Sequence, residues 1–277
     1  MTSSRLPGPL VVLLGAVALA VAVLTLAAPG VLRGPDAMDG SAQGTALVML
    51  LVGLPAYVVS AVWTRAGSLC AELVLTGVTA YLLYNAVMFL VATPLNRLFL
   101  LYVAMLGLAV VTLTHEALEV WQRAAREMSV PPRWVAGYVL VVVVLNALAW
   151  LGRIVPALVG DDPGSLLEGT GVATNPVYVQ DLAFWLPVMA WLGLGTWQGH
   201  RPRAALAVAG LVMWLVEAVG VAVDQWWAHA ADPASPVASL GGAWLFLAVA
   251  LVALVPTVVS LRGVSPRAVV RPAPPSR

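Results

Sequence analysis

Apolar residues run in long stretches along this chain, separated by short segments where Arg, Asp, Pro and Gly gather. A membrane-crossing helix needs about 20 predominantly apolar residues, and in lipid only a helix satisfies its own backbone. Eight stretches approach or meet that length, over residues 9–28, 46–63, 71–92, 98–114, 134–155, 182–197, 204–227 and 242–261. The pattern predicts an all-α transmembrane protein, an eight-helix polytopic bundle. Only Thr93, Pro94, Leu95, Asn96 and Arg97 part the third stretch from the fourth, and Pro94 closes that hairpin by breaking the helix. The first stretch follows Arg5 and ends in small residues, which also suits a signal peptide cleaved after Ala27 or Ala28. Its length of about 20 apolar residues exceeds a usual signal core and favours an uncleaved span.

A single transmembrane domain is thus expected over residues 1–261, followed by a tail at 262–277 rich in Arg and Pro, read as disordered and cytoplasmic. Between spans four and five, Glu116, Glu119, Arg123, Arg126, Glu127 and Arg133 alternate with Leu118, Val120 and Trp121. This segment reads as an amphipathic extension of span four lying on the inner membrane surface.

Charge placement orients the spans. With both termini cytoplasmic, the inner segments hold Arg5, Arg65, Arg123, Arg126, Arg133, Arg201, Arg203, Arg262, Arg267, Arg271 and Arg277, and only Arg33, Arg97 and Arg153 lie outside. The positive-inside bias therefore predicts an inner (plasma) membrane protein with N-terminus and C-terminus in. Outer loops are acidic instead, through Asp36, Asp39, Asp161, Asp162, Glu168 and Asp232. Trp63, Trp134, Trp197, Trp226, Trp227 and Trp244 fall at span ends, where interfacial aromatics belong.

Composition narrows the chemistry. The chain is 61% hydrophobic and 10% charged, with 14 basic and 13 acidic residues and a net charge of +1. No basic field exists to hold nucleic acid. All the basic residues are Arg, which removes Schiff-base chemistry and the lysine of a phosphate-binding P-loop. Cys70 is the single cysteine and there are three His, so neither an internal disulfide nor a cofactor held by soft ligands is expected. His115, Glu116 and Glu119 superficially echo a zinc helix, but the second His is missing and a solvated helix end is the simpler expectation. No Gly-x-Ser-x-Gly elbow or Cys/His nucleophile pair can be assembled. The sequence therefore names no metal, no cofactor and no catalytic residue.

The two halves resemble each other. Leu54-Pro55 precedes Leu186-Pro187 by 132 residues, Trp63 precedes Trp197 by 134, and Gly77 and Tyr81 precede Gly210 and Trp214 by 133. Leu98-Phe99 likewise resembles Leu245-Phe246. Two parallel four-helix repeats, 1–130 and 131–261, are expected, related by an axis along the membrane normal and keeping any site at their interface.

Ionisable groups inside a span are costly and face protein or water, which makes them candidates for function. Glu217 is the sharpest, at an expected depth in the outer half of span seven. Asp224 follows two turns later on nearly the same face, which Gly210, Trp214 and Gly220 roughly share. Span five offers Asn146 and Arg153 at matching depths. Arg153 is expected to pair with Asp224 or Asp181, and Asn146 to hydrogen-bond near Glu217, since an unpaired buried carboxylate is costly. Tyr81, Tyr84 and Asn85 of span three, with Asn96 and Arg97 across the hairpin, sit towards the same side.

Three segments carry a resemblance. Tyr84-Asn85-Ala86, the run Asn96-Arg97-Leu98-Phe99-Leu100-Leu101-Tyr102-Val103-Ala104, and the run from Asn175 to Pro187 containing Gln180-Asp181-Leu182 and Leu186-Pro187 are similar to stretches of an uncharacterised family of bacterial multi-spanning membrane proteins. The likeness covers about two spans, and Gln180 stands where that family usually has Leu. It implies no activity, but it implies that Asn85, Asn96 and Asp181 belong to one polar cluster. Asp181 near the start of span six also suits helix capping.

The expected function is a small-molecule or ion transporter-like or ligand-binding protein, with an outward-facing polar cavity formed by Asn85, Arg97, Asn146, Arg153, Asp181, Glu217 and Asp224. Glu217 would be its proton or cation site. The expected partners are the lipid bilayer and a small molecule or cation, with a homo-oligomer or a partner subunit left open. The alternative is a non-catalytic accessory, sensory or assembly subunit whose polar residues only join helices. A lipid-modifying enzyme is a third reading, resting on the acidic loop between Asp161 and Asp181.

Overall fold

All eight stretches are helices in the computed structural model, which describes residues 8–28, 30–160 and 162–264. They are α1 (Gly8–Ala27), α2 (Asp36–Thr64), α3 (Leu69–Val91), α4 (Phe99–Glu127), α5 (Arg133–Val159), α6 (Pro176–Trp197), α7 (Arg201–Ala231) and α8 (Leu240–Arg262), each long and apolar enough to cross a membrane. No strand occurs among the described residues. Leu and Val side chains along α1, α2, α5 and α8 stand exposed, as a lipid-facing surface requires. This is a multi-pass membrane protein.

Three boundaries differ from the sequence pattern, each because a polar segment continues a helix. α2 starts at Asp36, so Asp36 and Asp39 lie in its first turn, not in an outer loop. A carboxylate is favoured there by the helix dipole, and Asp39 Oδ1 accepts from the Gly34 amide at 2.9 Å. Gly40 and Gly44 explain how this polar turn packs: a Cβ at either would collide with α7, at Ala228 and Ala231 or at the backbone of Asp224. Such a small-xxx-small face lets two helices meet backbone to backbone. α4 runs unbroken to Glu127, so the expected extension of span four is helical, and its inner face, with Glu116, Val120 and Ala124, packs into the bundle. α6 starts at Pro176, capped by Asn175, whose Oδ1 accepts from the amides of Val177 and Tyr178. Asp181 is therefore inside α6 and is not its cap. Of the expected tail at 262–277, residues 265–277 lie outside the described residues, as do Arg5 and Asp161.

α2 and α6 share an unusual device. Each contains one π-helical turn, Met49–Gly53 and Asp181–Trp185, directly before Leu54-Pro55 and Leu186-Pro187. Proline clashes with the carbonyl four residues back and cannot donate to it. In both helices that carbonyl, of Leu51 or Ala183, falls inside the wider π turn, which accommodates it.

α3 and α7 form the centre. Their apolar windows are 67% and 56% buried, against 22% to 39% in the other six helices. α3 packs against α2 and α4, as α7 packs against α6 and α8, and α3 and α7 pack against each other. Ser68 caps α3 and His200 caps α7, each through its side chain and the amide three residues on. α1 closes the α2–α4 side, where the Tyr57 hydroxyl donates to the Val11 carbonyl at 2.9 Å.

Candidate functional site

α3 and α7 touch most closely at Gly77, where a Cβ would collide with the Ala209 carbonyl and the Val212 side chain. Two turns further along the same pair, Asn85 Nδ2 donates to Glu217 Oε2 at 2.8 Å and to the Tyr81 carbonyl at 3.1 Å. Asn85 is 2% exposed. Glu217 thus points at the neighbouring central helix, not at lipid. The Tyr81 ring lies beside it, fully buried, with its hydroxyl lacking a hydrogen-bond partner.

Two further carboxyl groups join from either side. Asp224, on α7, sits where α2 crosses at Gly44, and its Oδ1 is sealed from solvent without a partner. Asp181 enters from the π turn of α6, where the extra residue per turn re-aims the side chain towards α3. The Trp150 indole of α5 donates to Asp181 Oδ2 at 2.8 Å, and the Tyr84 hydroxyl of α3 faces the same carboxyl. Trp185 lies tilted on Tyr84 with centroids 6.2 Å apart and donates to Gln180 Oε1 at 3.3 Å. Glu217 has Asp181 and Asp224 as electrostatic neighbours, and no basic residue neighbours any of the three among the described residues.

Asn85, Asp181, Glu217 and Asp224 are therefore brought together. Three expected members are not. Arg97 and Arg153 are exposed and pair with none of these carboxylates. Asn146 is half-buried and makes no hydrogen bond to Glu217, because α5 packs chiefly on α6, through Val139, Val143, Leu186 and Met189. Asn96, which the resemblance places in the cluster, instead builds the hairpin: its Oδ1 accepts from the Leu98 amide at 2.8 Å and its Nδ2 donates to the Pro94 carbonyl at 3.1 Å. Trp150 is the residue that sequence reasoning missed on α5. It lies one turn beyond Asn146, on the face already singled out there.

A cavity of about 130 Å³ is lined by Thr93, Asn96, Phe99 and Tyr102, and another of about 160 Å³ by Thr25, Gly30, Asp39 and Gln43. Neither is lined by Glu217, Asp181 or Asp224.

No family profile, curated protein or solved structure matches the chain. The site must be argued from its own chemistry. Like charges this close repel one another in an apolar interior, and a proton or small cation among them relieves the repulsion. His115 is exposed, and His200 caps α7 and leans on Trp121 with centroids 5.4 Å apart. Glu116 does not belong to a solvated helix end: it is 1% exposed.

Proposed function

We propose that this membrane protein is transporter-like, with Glu217 as a proton or cation site at the interface of two four-helix halves, 1–130 and 131–261. The observation that carries the reading is the Asn85–Glu217 hydrogen bond between the two most enclosed helices, beside two acidic groups and no basic one. Asn85 and Glu217 are 132 residues apart. The same spacing separates the π turns, the Leu-Pro pairs and the side-chain caps Ser68 and His200. In the register of the π turns, Leu-Pro pairs and caps, one residue shorter than that of Gly77–Gly210 and Tyr81–Trp214, the pair occupies one repeat position twice, as expected of residues on an axis along the membrane normal, where parallel-repeat transporters keep their sites. Arg65, Arg126, Arg133, Arg201 and Arg262 gather at one end of the bundle, which supports a cytoplasmic assignment for that end, with both termini there, in an inner membrane.

Purified protein in liposomes holding an entrapped pH dye tests the reading. An imposed pH or sodium gradient is expected to drive proton movement in the wild type and in Glu168→Gln, an exposed loop variant, and not in Glu217→Gln. Equal flux in Glu217→Gln counts against the site.

A second reading, a non-catalytic accessory or assembly subunit, draws support from the hydrogen bonds by which Asn85, Glu217, Trp150 and Asp181 join neighbouring helices. It predicts no flux from any variant and a membrane partner that co-purifies in fixed ratio.

A further inference from the structure

Another acidic group stands apart from the Glu217 cluster. Glu116 lies on the face of α4 that packs on α3, is 1% exposed, and has the Thr79 hydroxyl of α3 facing its carboxyl. Its neighbours are Thr79 of α3, Tyr57 of α2 and Glu119 one turn along α4. α1, packed on the same side of α4, carries no titratable residue. On α3, Cys70 and Glu72 lie about two turns nearer the Arg-rich end, and Glu72 is paired with Arg123. On α7, Arg203 at that end is held over the Trp191 ring, 4.3 Å from its centre.

Hydroxyls line this carboxyl on two helices. Thr76 and Thr79 share a face of α3, and Thr112 precedes Glu116 by one turn on α4. All three are buried, and none donates to the carbonyl four residues back in its own helix, whereas Ser60, Thr114, Thr196 and Thr257 each do, the usual arrangement in a spanning helix. Their hydroxyls are thus left to the Glu116 carboxyl, which Thr79 faces, and an ionisable group enclosed inside a span is a candidate for function.

We propose that Glu116 is a second proton-binding site, lying between Glu217 and the Arg-rich end of the bundle. Along α4 it is about 16 Å from Glu127, whereas Glu217 is about 24 Å along α7 from Arg201 at 1.5 Å per residue. The step moves a proton alone. A carboxylate oxygen of Glu116 takes it from a hydronium ion on the Arg-rich side, one O–H bond of the hydronium breaking to leave water as the carboxyl O–H that faces Thr79 forms, and release runs the same exchange in reverse. Two carboxyl sites at different depths would then share one bundle, the inner one enclosed within the first half.

Infrared difference spectra of the protein in bilayers, recorded across pH in light and heavy water, test this. The expected result is a carboxylic-acid carbonyl band that appears and disappears with pH, is lost in Glu116→Gln and persists in Glu217→Gln. Thr79→Val should shift its frequency and leave the melting temperature of the bundle near that of the wild type. If Glu116→Gln does not fold, Glu116→Asp keeps the carboxyl and should move the band. A Glu116 band that ignores pH, or no band change in any Glu116 variant, overturns the proposal. The Glu217 reading fails separately, by the absence of any band that Glu217→Gln removes.

Discussion

Asn85 and Glu217 are the smallest unit on which this account rests. An amide donor to a carboxylate inside a bundle contributes about 1 kcal/mol, since the unfolded chain in the membrane also finds partners. Asn85→Leu is expected to lower thermal stability in detergent by about that amount. A double-mutant cycle with Glu217→Leu should give a coupling of about 0.5 to 2 kcal/mol, read from melting curves of the four proteins. Coupling near zero would mean the contact does not hold in solution. Trp150→Phe keeps the ring against Tyr178 but removes the donor to Asp181; a loss of about 1 kcal/mol is expected in the same assay. At this scale the sequence was partly legible. Carboxylates in apolar stretches announce themselves, so Glu217 and Asp224 are legible from residue type and depth, whereas Asp181, just before the sixth stretch, is placed in the cluster by the resemblance. Their partners are not legible, because the sequence gives the face of a helix but not its rotation against a neighbour. Arg153 was chosen by complementary charge and points outward; Trp150, on nearly the same face, reaches the carboxyl.

Among the elements, glycine and proline decide the packing. Gly44 and Gly77 are where α2 and α3 press against α7. Gly44→Leu and Gly77→Leu are expected to push the helices apart and abolish the folded monodisperse peak in size exclusion. Gly107→Leu, on an open part of α4 with nothing near its Cβ position, should elute as the wild type. The length of α2 and the burial of the last turns of α4 go beyond the hydropathy pattern for one reason. A hydropathy pattern ends a span at the first polar residues, while a helix ends where its capping and packing end. Residues 36–45 stay helical because Gly40 and Gly44 give them α7 to pack on, and residues 115–127 because Val120 and Ala124 enter a second apolar core with Leu73 and Val208. The π turns were invisible beforehand, although the Leu-Pro pairs that follow them were the first sign of the repeat. Pro187→Ala should let α6 regularise and draw Asp181 away from Trp150, seen as a change in tryptophan emission absent from Pro187→Ala/Trp150→Phe.

For the molecule as a whole, the number of helices and their lipid-facing surface were legible at once, since a chain that is 61% hydrophobic in segments of spanning length has no other way to satisfy its backbone. The internal symmetry was legible only as scattered matches between apolar segments. The proposal that the halves are repeats draws on the caps, the π turns and the Asn85–Glu217 pair, each separated by one spacing. Orientation can be checked with single cysteines in a Cys70→Ala background. A cysteine at Gln198 should react only with permeant reagents in whole cells, and one at Ser165 with impermeant reagents as well.

The proposed two-fold axis makes an unusual demand: the two positions that share it, 85 and 217, must be interchangeable. The most direct measurement is proton flux in liposomes for Glu217→Asn, for Asn85→Glu, and for the protein carrying both. The account predicts that Glu217→Asn loses flux and that the exchanged pair, an amide on α7 facing a carboxylate on α3, recovers most of it. An exchanged pair as inactive as Glu217→Asn alone, or a Glu217→Asn protein with wild-type flux, would contradict it.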